Sequence, residues 1–550
     1  MKTLLYSAAA VLLIGAASCS DNLLDRPPVD RIVDETVWSD AGLVNAFVTS
    51  KYRDLGFGFN WNGDEVLWSS FSDESLFKHD YGVWVSNRGE LSPANLGILN
   101  DGYNVNLNPW TKNYQYIRDA NLFFERINAV PMDSAQKRGL TGEMKFLRAF
   151  RYFDLVRNYG AVPLITRTFA LTDDFTAGIA KAPLADCISF VVREADEAAT
   201  LLPLKQPDAE VGRATKGAAM ALKARMLLYA ASPLYTGGTN DVAKWRTAAQ
   251  AAKAIIDLNV YTLYPDYQQL FLVARNPEII LDRGASNVRL GDSGQNLERN
   301  NGPNGYGGWA GNMPLQNLVD AYQTTTGKDI SDPTSGYDPQ NPYANRDPRF
   351  YATVLYNGAQ YRGRAVETFT PGGKDSPDGP EPWNTSTTGY YLRKFMNEAR
   401  DFRDATGSQS PWIYFRLGEV LLNYAEAQNE AVGADATVYA AVNQLRARAK
   451  MPNVPAGLSQ AQMRDAIRRE RQVELAFEEH RYYDVRRWRI ADQTENQPAR
   501  GVAITRNAAG AFVYAPIVVQ QRRFQERNYR LPIPFKEIQA NPNLIQNQGY

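Results

Sequence analysis

Apolar positions recur at helical spacing over much of the chain. The pattern predicts helices from about Asp40 to Leu55, Pro109 to Val130, Leu184 to Leu202, Arg213 to Ala231 and Asp241 to Leu258. Phe146, Phe150 and Phe153 mark another, which ends at Tyr159-Gly160. Between Pro411 and Trp488, residues Tyr414, Leu417, Leu421, Tyr424 and Ala425 form one stripe with Gln428 on its polar edge, and Val432-Gly433 interrupts it. Ala441, Val442 and Leu445 begin a second stripe, which Met451-Pro452 ends. The two predict a helical hairpin. A single hairpin cannot bury its own stripe, so it must stack on neighbours. A third helix is predicted to run from Ile467 to Trp488.

The pattern changes between Leu281 and Ser410, where Gly, Asn, Pro, Asp and Thr dominate. A loop-rich stretch of this length inside an ordered chain points to function, and it is expected to carry only small strands and short helices. Val502–Arg506 and Ala511–Ala515, joined through Asn507 and Gly510, read as a β-hairpin. The expected fold is mainly α: a tetratricopeptide-like helical-hairpin scaffold with a loop-rich insertion and minor β hairpins.

The first residues form a different unit. One Lys, an apolar run from Leu4 to Ile14 and the small residues Gly15 to Ser18 read as a secretory leader over 1–18, too short to span a bilayer stably. Cleavage before Cys19 leaves an N-terminal cysteine, as in a bacterial lipoprotein signal, with Ala16 where Leu is usual. Cys19 is therefore the expected site of lipidation (palmitate), and several acyl chains would anchor a soluble body firmly. Residues 19–39 are the expected tether, with Pro27-Pro28. Beyond it lie an N-terminal helical scaffold over 40–280 with an aromatic loop at 56–109, the insertion at 281–410, and a C-terminal helical scaffold and tail at 411–550.

Composition narrows the chemistry. The 550 residues are 44% hydrophobic and 11% aromatic, with a formal net charge of +0, so nothing electrostatic calls for nucleic acid. The two histidines, His79 and His480, are far apart, and no Cys/His spacing matches a zinc site. Cys187 falls in a predicted amphipathic helix and reads as a buried small hydrophobe. No cofactor is expected. Gly305 to Ala310 has the spacing of a dinucleotide fingerprint but lacks the preceding strand and following helix, which excludes it.

Sugar recognition needs flat aromatic faces beside amide and carboxylate groups. Two stretches supply both. One runs from Asn60 through Trp68 and Asp73 to Trp84; the other contains Tyr306, Trp309 and Asn312. Trp68, Trp84, Tyr306 and Trp309 are the expected stacking residues, and Asn60, Asp73 and Asn312 the expected hydrogen-bonding ones. Glu470, Glu474 and Glu478, interleaved with Arg471 and Arg481, read as a salt-bridge network along one helix rather than as an acid/base pair.

Arg416 to Leu422, Tyr424-Ala425-Glu426-Ala427, Glu474 to Glu478, Arg481 to Trp488 and Leu531-Pro532-Ile533-Pro534 together resemble the SusD/RagB family of outer-membrane nutrient-binding lipoproteins. Leu147 to Leu155, Tyr159 to Leu164, Arg213 to Ala218 and the closing Gln546 to Tyr550 are similar too, with Gln548 where the family usually has Pro. The resemblance implies a lipid-anchored, non-enzymatic receptor facing the cell exterior. It would capture oligosaccharides as a lid on a SusC-like TonB-dependent transporter. A peptide-capturing receptor of the same architecture and an extracellular glycoside hydrolase are the alternatives.

Overall fold

The computed structural model describes residues 34–53, 55, 66–80, 82–100, 103–106, 108–170, 172–174, 179–283, 297–401, 408 and 410–550. Its frame is a serial array of helices. These are α1 (Ala41–Arg53), α2 (Pro109–Arg126), α3 (Ser134–Tyr159), α4 (Leu184–Leu201), α5 (Lys216–Ala231), α6 (Val242–Ile256) and α7 (Leu417–Val432), followed by α8 (Ala436–Arg448), α9 (Gln460–Glu474) and the short α10 (Arg481–Arg487). From α2 to α8 each helix packs on its successor, which is the side-by-side hairpin arrangement expected of a mainly α scaffold. Polar caps start several of them. Asp133, Asp241 and Asp435 accept from backbone amides, and Ser459 forms a reciprocal capping box with Gln462.

Helix α5 lies between α4 and α6 and is buried nearly all round, which its Ala-rich sequence permits. At Gly217 a Cβ would stand 2.0 Å from the Tyr261 hydroxyl, so the missing side chain makes room for that tyrosine. Cys187 is fully buried, with its Sγ 3.4 Å from the Val162 carbonyl oxygen.

Two expectations for the C-terminal part are corrected. Tyr414 does not begin the α7 stripe. Trp412–Arg416 is a strand, β4, paired antiparallel with β2 (Ile279–Arg283), and the run Trp-Ile-Tyr-Phe suits an extended buried strand better than a helix. Nor does one helix run from Ile467 to Trp488. It ends at Glu474, and Phe477 and Glu479 adopt left-handed conformations with φ of 62° and 68° before α10 starts. Side chains take over the freed carbonyls: Tyr267 Oη donates to Glu474 O at 2.6 Å, Arg416 Nη2 to the same oxygen at 3.0 Å, and Lys394 Nζ to Ala476 O at 2.8 Å.

The loop-rich stretch contains short helices such as Gln316–Ala321 and Pro348–Thr353 and two-residue strands such as Val354–Leu355 with Tyr391–Leu392. Its residues Leu318, Tyr322 and Phe350 join the main core, and Arg349 reaches Glu470 and Glu474 of α9. Near the end, β5 (Ala499–Arg506) and β6 (Phe512–Gln520) form the expected hairpin.

Candidate functional site

The two aromatic stretches meet. Strand β1 (Ser75–Phe77) pairs antiparallel with β3 (Asn312–Pro314), placing Phe77 opposite Asn312. Asn312 ties the junction: its Oδ1 accepts from Leu67 N and Ser70 Oγ, both at 3.0 Å, and its Nδ2 donates to Asn301 Oδ1 at 2.9 Å. It is fully buried, so its role is to join the stretches and not to face a ligand.

Two more of the expected ligand residues are also corrected to structural roles. Trp68 is 1% exposed and packs against Phe71, Tyr482 and Tyr483, with ring centroids 5.4, 4.7 and 5.8 Å away. A large ring among other rings contributes more to the core than it would in an open loop. Asp73 is gripped by Arg481 through two contacts, Nε to Oδ1 at 2.8 Å and Nη2 to Oδ2 at 2.7 Å. Burial pushes its carboxyl up, but Arg481 and then Arg522 pull it down, and the net shift is downward. Asn60 lies outside the described residues, as does Cys19.

Trp84, Tyr306 and Trp309 are only half-buried. Trp84 and Tyr306 lean on the same small apolar cluster, which contains Leu76, Met313 and Tyr361. Trp84 Nε1 donates to Phe77 O at 3.4 Å. Tyr306 Oη donates to Tyr361 O at 2.7 Å, and the Arg364 guanidinium lies 3.9 Å from its ring centroid while also gripping Asp375. Trp309 is anchored by its amide, which donates to Arg299 O at 2.7 Å, and the Arg299 guanidinium sits 4.7 Å from its ring. The turn before it needs glycine, since a Cβ on Gly308 would come 2.2 Å from Gly302 O. His79 stands edge-on to Phe77 at 5.9 Å; burial and then Lys78 push it down to about 4, so it is neutral at physiological pH. The result is a group of partly exposed aromatic residues on the two joined stretches, with the Arg364 and Arg299 guanidinium groups against Tyr306 and Trp309 and a neutral imidazole at His79.

One residue was missed by sequence reasoning. Trp383 is 69% exposed. Its loop is fastened beside Tyr306 by Asn304, whose Nδ2 donates to Pro380 O at 2.8 Å and Ser376 O at 3.1 Å. The available signal was a lone Trp after Pro382 in a polar run, with no apolar partner at helical or strand spacing.

The acidic residues near α9 are committed elsewhere. Glu470 pairs with Arg349 at 2.6 Å and Arg446 at 3.0 Å, and Glu478 pairs with Arg416 and Lys394, both at 2.7 Å. Glu474 receives Arg349, Arg416 and Arg448. A salt-bridge network is therefore present, but it runs between elements and not along one helix. Arg471 turns to Asp484 and Asn423, and Arg481 to Asp73.

Comparison with known proteins relates the chain to one family. A model of the SusD family matches residues 277–550, and a model described as starch-binding and associating with the outer membrane matches residues 49–228. This chain belongs to the SusD/RagB family. A SusD-like protein of Formosa agariphila is 25% identical over 98% of this chain and 98% of its own length. A SusD-like protein of Bacteroides fragilis has a solved structure with a TM-score of 0.79 at 28% identity, covering 96% of this SusD-family chain and 100% of that one. A second solved protein from that organism, titled a SusD-like carbohydrate binding protein, has a TM-score of 0.78 at 26% identity over 93% of this chain and 100% of its own.

Proposed function

We propose that this SusD-family chain is a lipid-anchored binding protein that captures oligosaccharides at the cell surface and passes them to a SusC-like TonB-dependent outer-membrane transporter. The observation that carries the reading is the β1–β3 junction. It joins the two distant stretches that carry Trp84, Tyr306 and Trp309, and all three residues stay partly exposed, with Arg299 against Trp309 and Arg364 against Tyr306. Ring faces stack on sugar rings, and the flanking polar groups meet hydroxyls. Trp383 is a further exposed ring, on the loop that Asn304 fastens. A Bacteroides fragilis relative described as a SusD-like carbohydrate binding protein and a family model described as associating with the outer membrane point the same way. Lipidation at Cys19 supplies the anchor. In this reading the protein binds without catalysis; Glu470, Glu474 and Glu478 are held in buried ion pairs and so do not supply the two carboxylates flanking one bond that hydrolysis needs.

Affinity electrophoresis and calorimetry of the leaderless protein against plant, host and microbial glycans test this reading. A saturable hit without turnover, weakened in Trp309→Ala, is the expected result. Silence across the glycans together with binding of peptides would overturn it. Co-purification of a TonB-dependent barrel with the wild-type chain, and release of the Cys19→Ala chain from membranes, test the partner and the anchor.

A further inference from the structure

A cavity of about 370 Å³ opens in the helical frame, where α7, α9 and the residues after α10 meet the turn joining α5 to α6. None of its lining residues belongs to the aromatic surface described above. Trp245, Trp488, Pro233 and Ile467 form its apolar wall. The polar edges of the two indoles are satisfied within the protein: Trp245 Nε1 donates to Asn240 Oδ1 at 2.9 Å and Trp488 Nε1 to Glu426 Oε1 at 2.7 Å.

The carboxylates at the cavity are also matched. Glu426 accepts from Arg487 Nη2 at 2.7 Å, and Arg471 lies 3.6 Å away. Glu430 takes Arg464 through two contacts of 2.6 and 2.5 Å. Arg468 differs. Its guanidinium lies 4.8 Å from the Trp488 ring centroid and borders the cavity, yet it makes no hydrogen bond or ion pair with any described residue. Burial pushes its titration down, as befits a cation short of a counter-ion.

A few hundred Å³ with an apolar wall and a few polar groups is the usual form of a small-ligand site. A planar guanidinium recognises a carboxylate through two parallel N–H···O bonds. The nearby Glu426 and Glu430 would oppose a doubly charged anion, so a monoanion fits better than phosphate. We propose that this cavity is a second binding site, taking a small organic carboxylate of the sugar-acid class, with the carboxylate on Arg468 and the ring against Trp245 and Ile467.

Calorimetry of the intact protein with sodium glucuronate, glucose and inorganic phosphate tests this. Glucuronate should bind saturably and at least about tenfold more tightly than glucose or phosphate, a difference of about 1.4 kcal/mol. Arg468→Gln should abolish that preference, Arg468→Lys should retain part of it, and Trp309→Ala should leave it unchanged. Thr239→Trp, at the exposed rim, should block binding without touching the guanidinium, which covers the case of a misfolded Arg468→Gln. Equal affinity for glucuronate and glucose, preference for phosphate, no saturable heat with glucuronate, or undiminished binding in Thr239→Trp would each overturn the proposal.

Discussion

Arg416, the last residue of β4, and Glu474, the last of α9, form an ion pair of 2.8 Å with both side chains at most 1% exposed. Arg349 and Arg448 converge on the same carboxylate. Burial alone would raise Glu474, but the three guanidinium groups hold it well below the usual carboxylate range. Removing one member of such a set strands buried charge. Glu474→Gln is expected to cost about 3–5 kcal/mol, read as a shift of the urea midpoint. A loss below about 1 kcal/mol would show that the lattice does not hold the array together.

The tryptophans should separate into two groups. Trp68→Ala empties a fully packed site and should cost about 3–5 kcal/mol of stability. Trp383→Ala removes an exposed ring and should change stability by no more than about 0.5 kcal/mol. Trp309→Ala should weaken glycan binding by about 1 kcal/mol, the scale of one ring contact, with little change in melting temperature. Calorimetry and thermal melts on the same three variants distinguish the groups; unaltered affinity in Trp309→Ala would remove that ring from the site.

Stability should depend on pH with a definite sign on each side. Burial, with Asp73 adding to it, pushes Glu74 up to about 8 from an ordinary 4.5, and burial with Asp73 pushes Glu495 up to about 7. Across those windows the folded chain holds protons that the unfolded chain has lost, so stability falls as pH rises from 4.5 toward 8. Glu426 behaves oppositely. Burial raises it, but Arg487, Arg471 and the Trp488 N–H together outweigh burial and the net is about 2, so its contribution is present above 4.5 and is lost as pH falls toward 2. The melting temperature should peak at about pH 5, and Glu74→Gln should flatten the alkaline side of the curve. An unchanged slope in Glu74→Gln would assign the dependence to other groups.

Gly308→Ala probes the turn that presents Trp309. The added Cβ meets backbone at Gly302 and cannot be relieved by a side-chain rotation. Glycan affinity should fall at least as far as in Trp309→Ala although no ring has been removed. Wild-type affinity would mean that the turn tolerates rearrangement.

The helical frame was legible in sequence because its stripes are long and its caps are polar; α4 and α6 lie within two residues of their expected bounds. The break after Glu474 was not, because it depends on Tyr267, Lys394 and Arg416 arriving from distant segments to cap the helix end. The candidate surface was half legible. Aromatic residues in Gly- and Asn-rich sequence marked the right stretches, but a string of residues does not record which face of a loop a ring takes. Trp68 and Trp309 look alike in sequence; Tyr482 and Tyr483, more than four hundred positions from Trp68, help bury the first. The same holds for Asn312, whose burial follows from Leu67, Ser70 and Asn301.

The Trp68 amide donates to Glu479 Oε1 at 3.0 Å across 411 positions of chain. A polypeptide that folds from its N-terminal end therefore carries that indole and the strand beside it unsealed until nearly the whole molecule has been made. A product truncated before α10 would retain much of the helical array but have an open aromatic seam, prone to stick to its neighbours. Completion of the chain is what closes this seam.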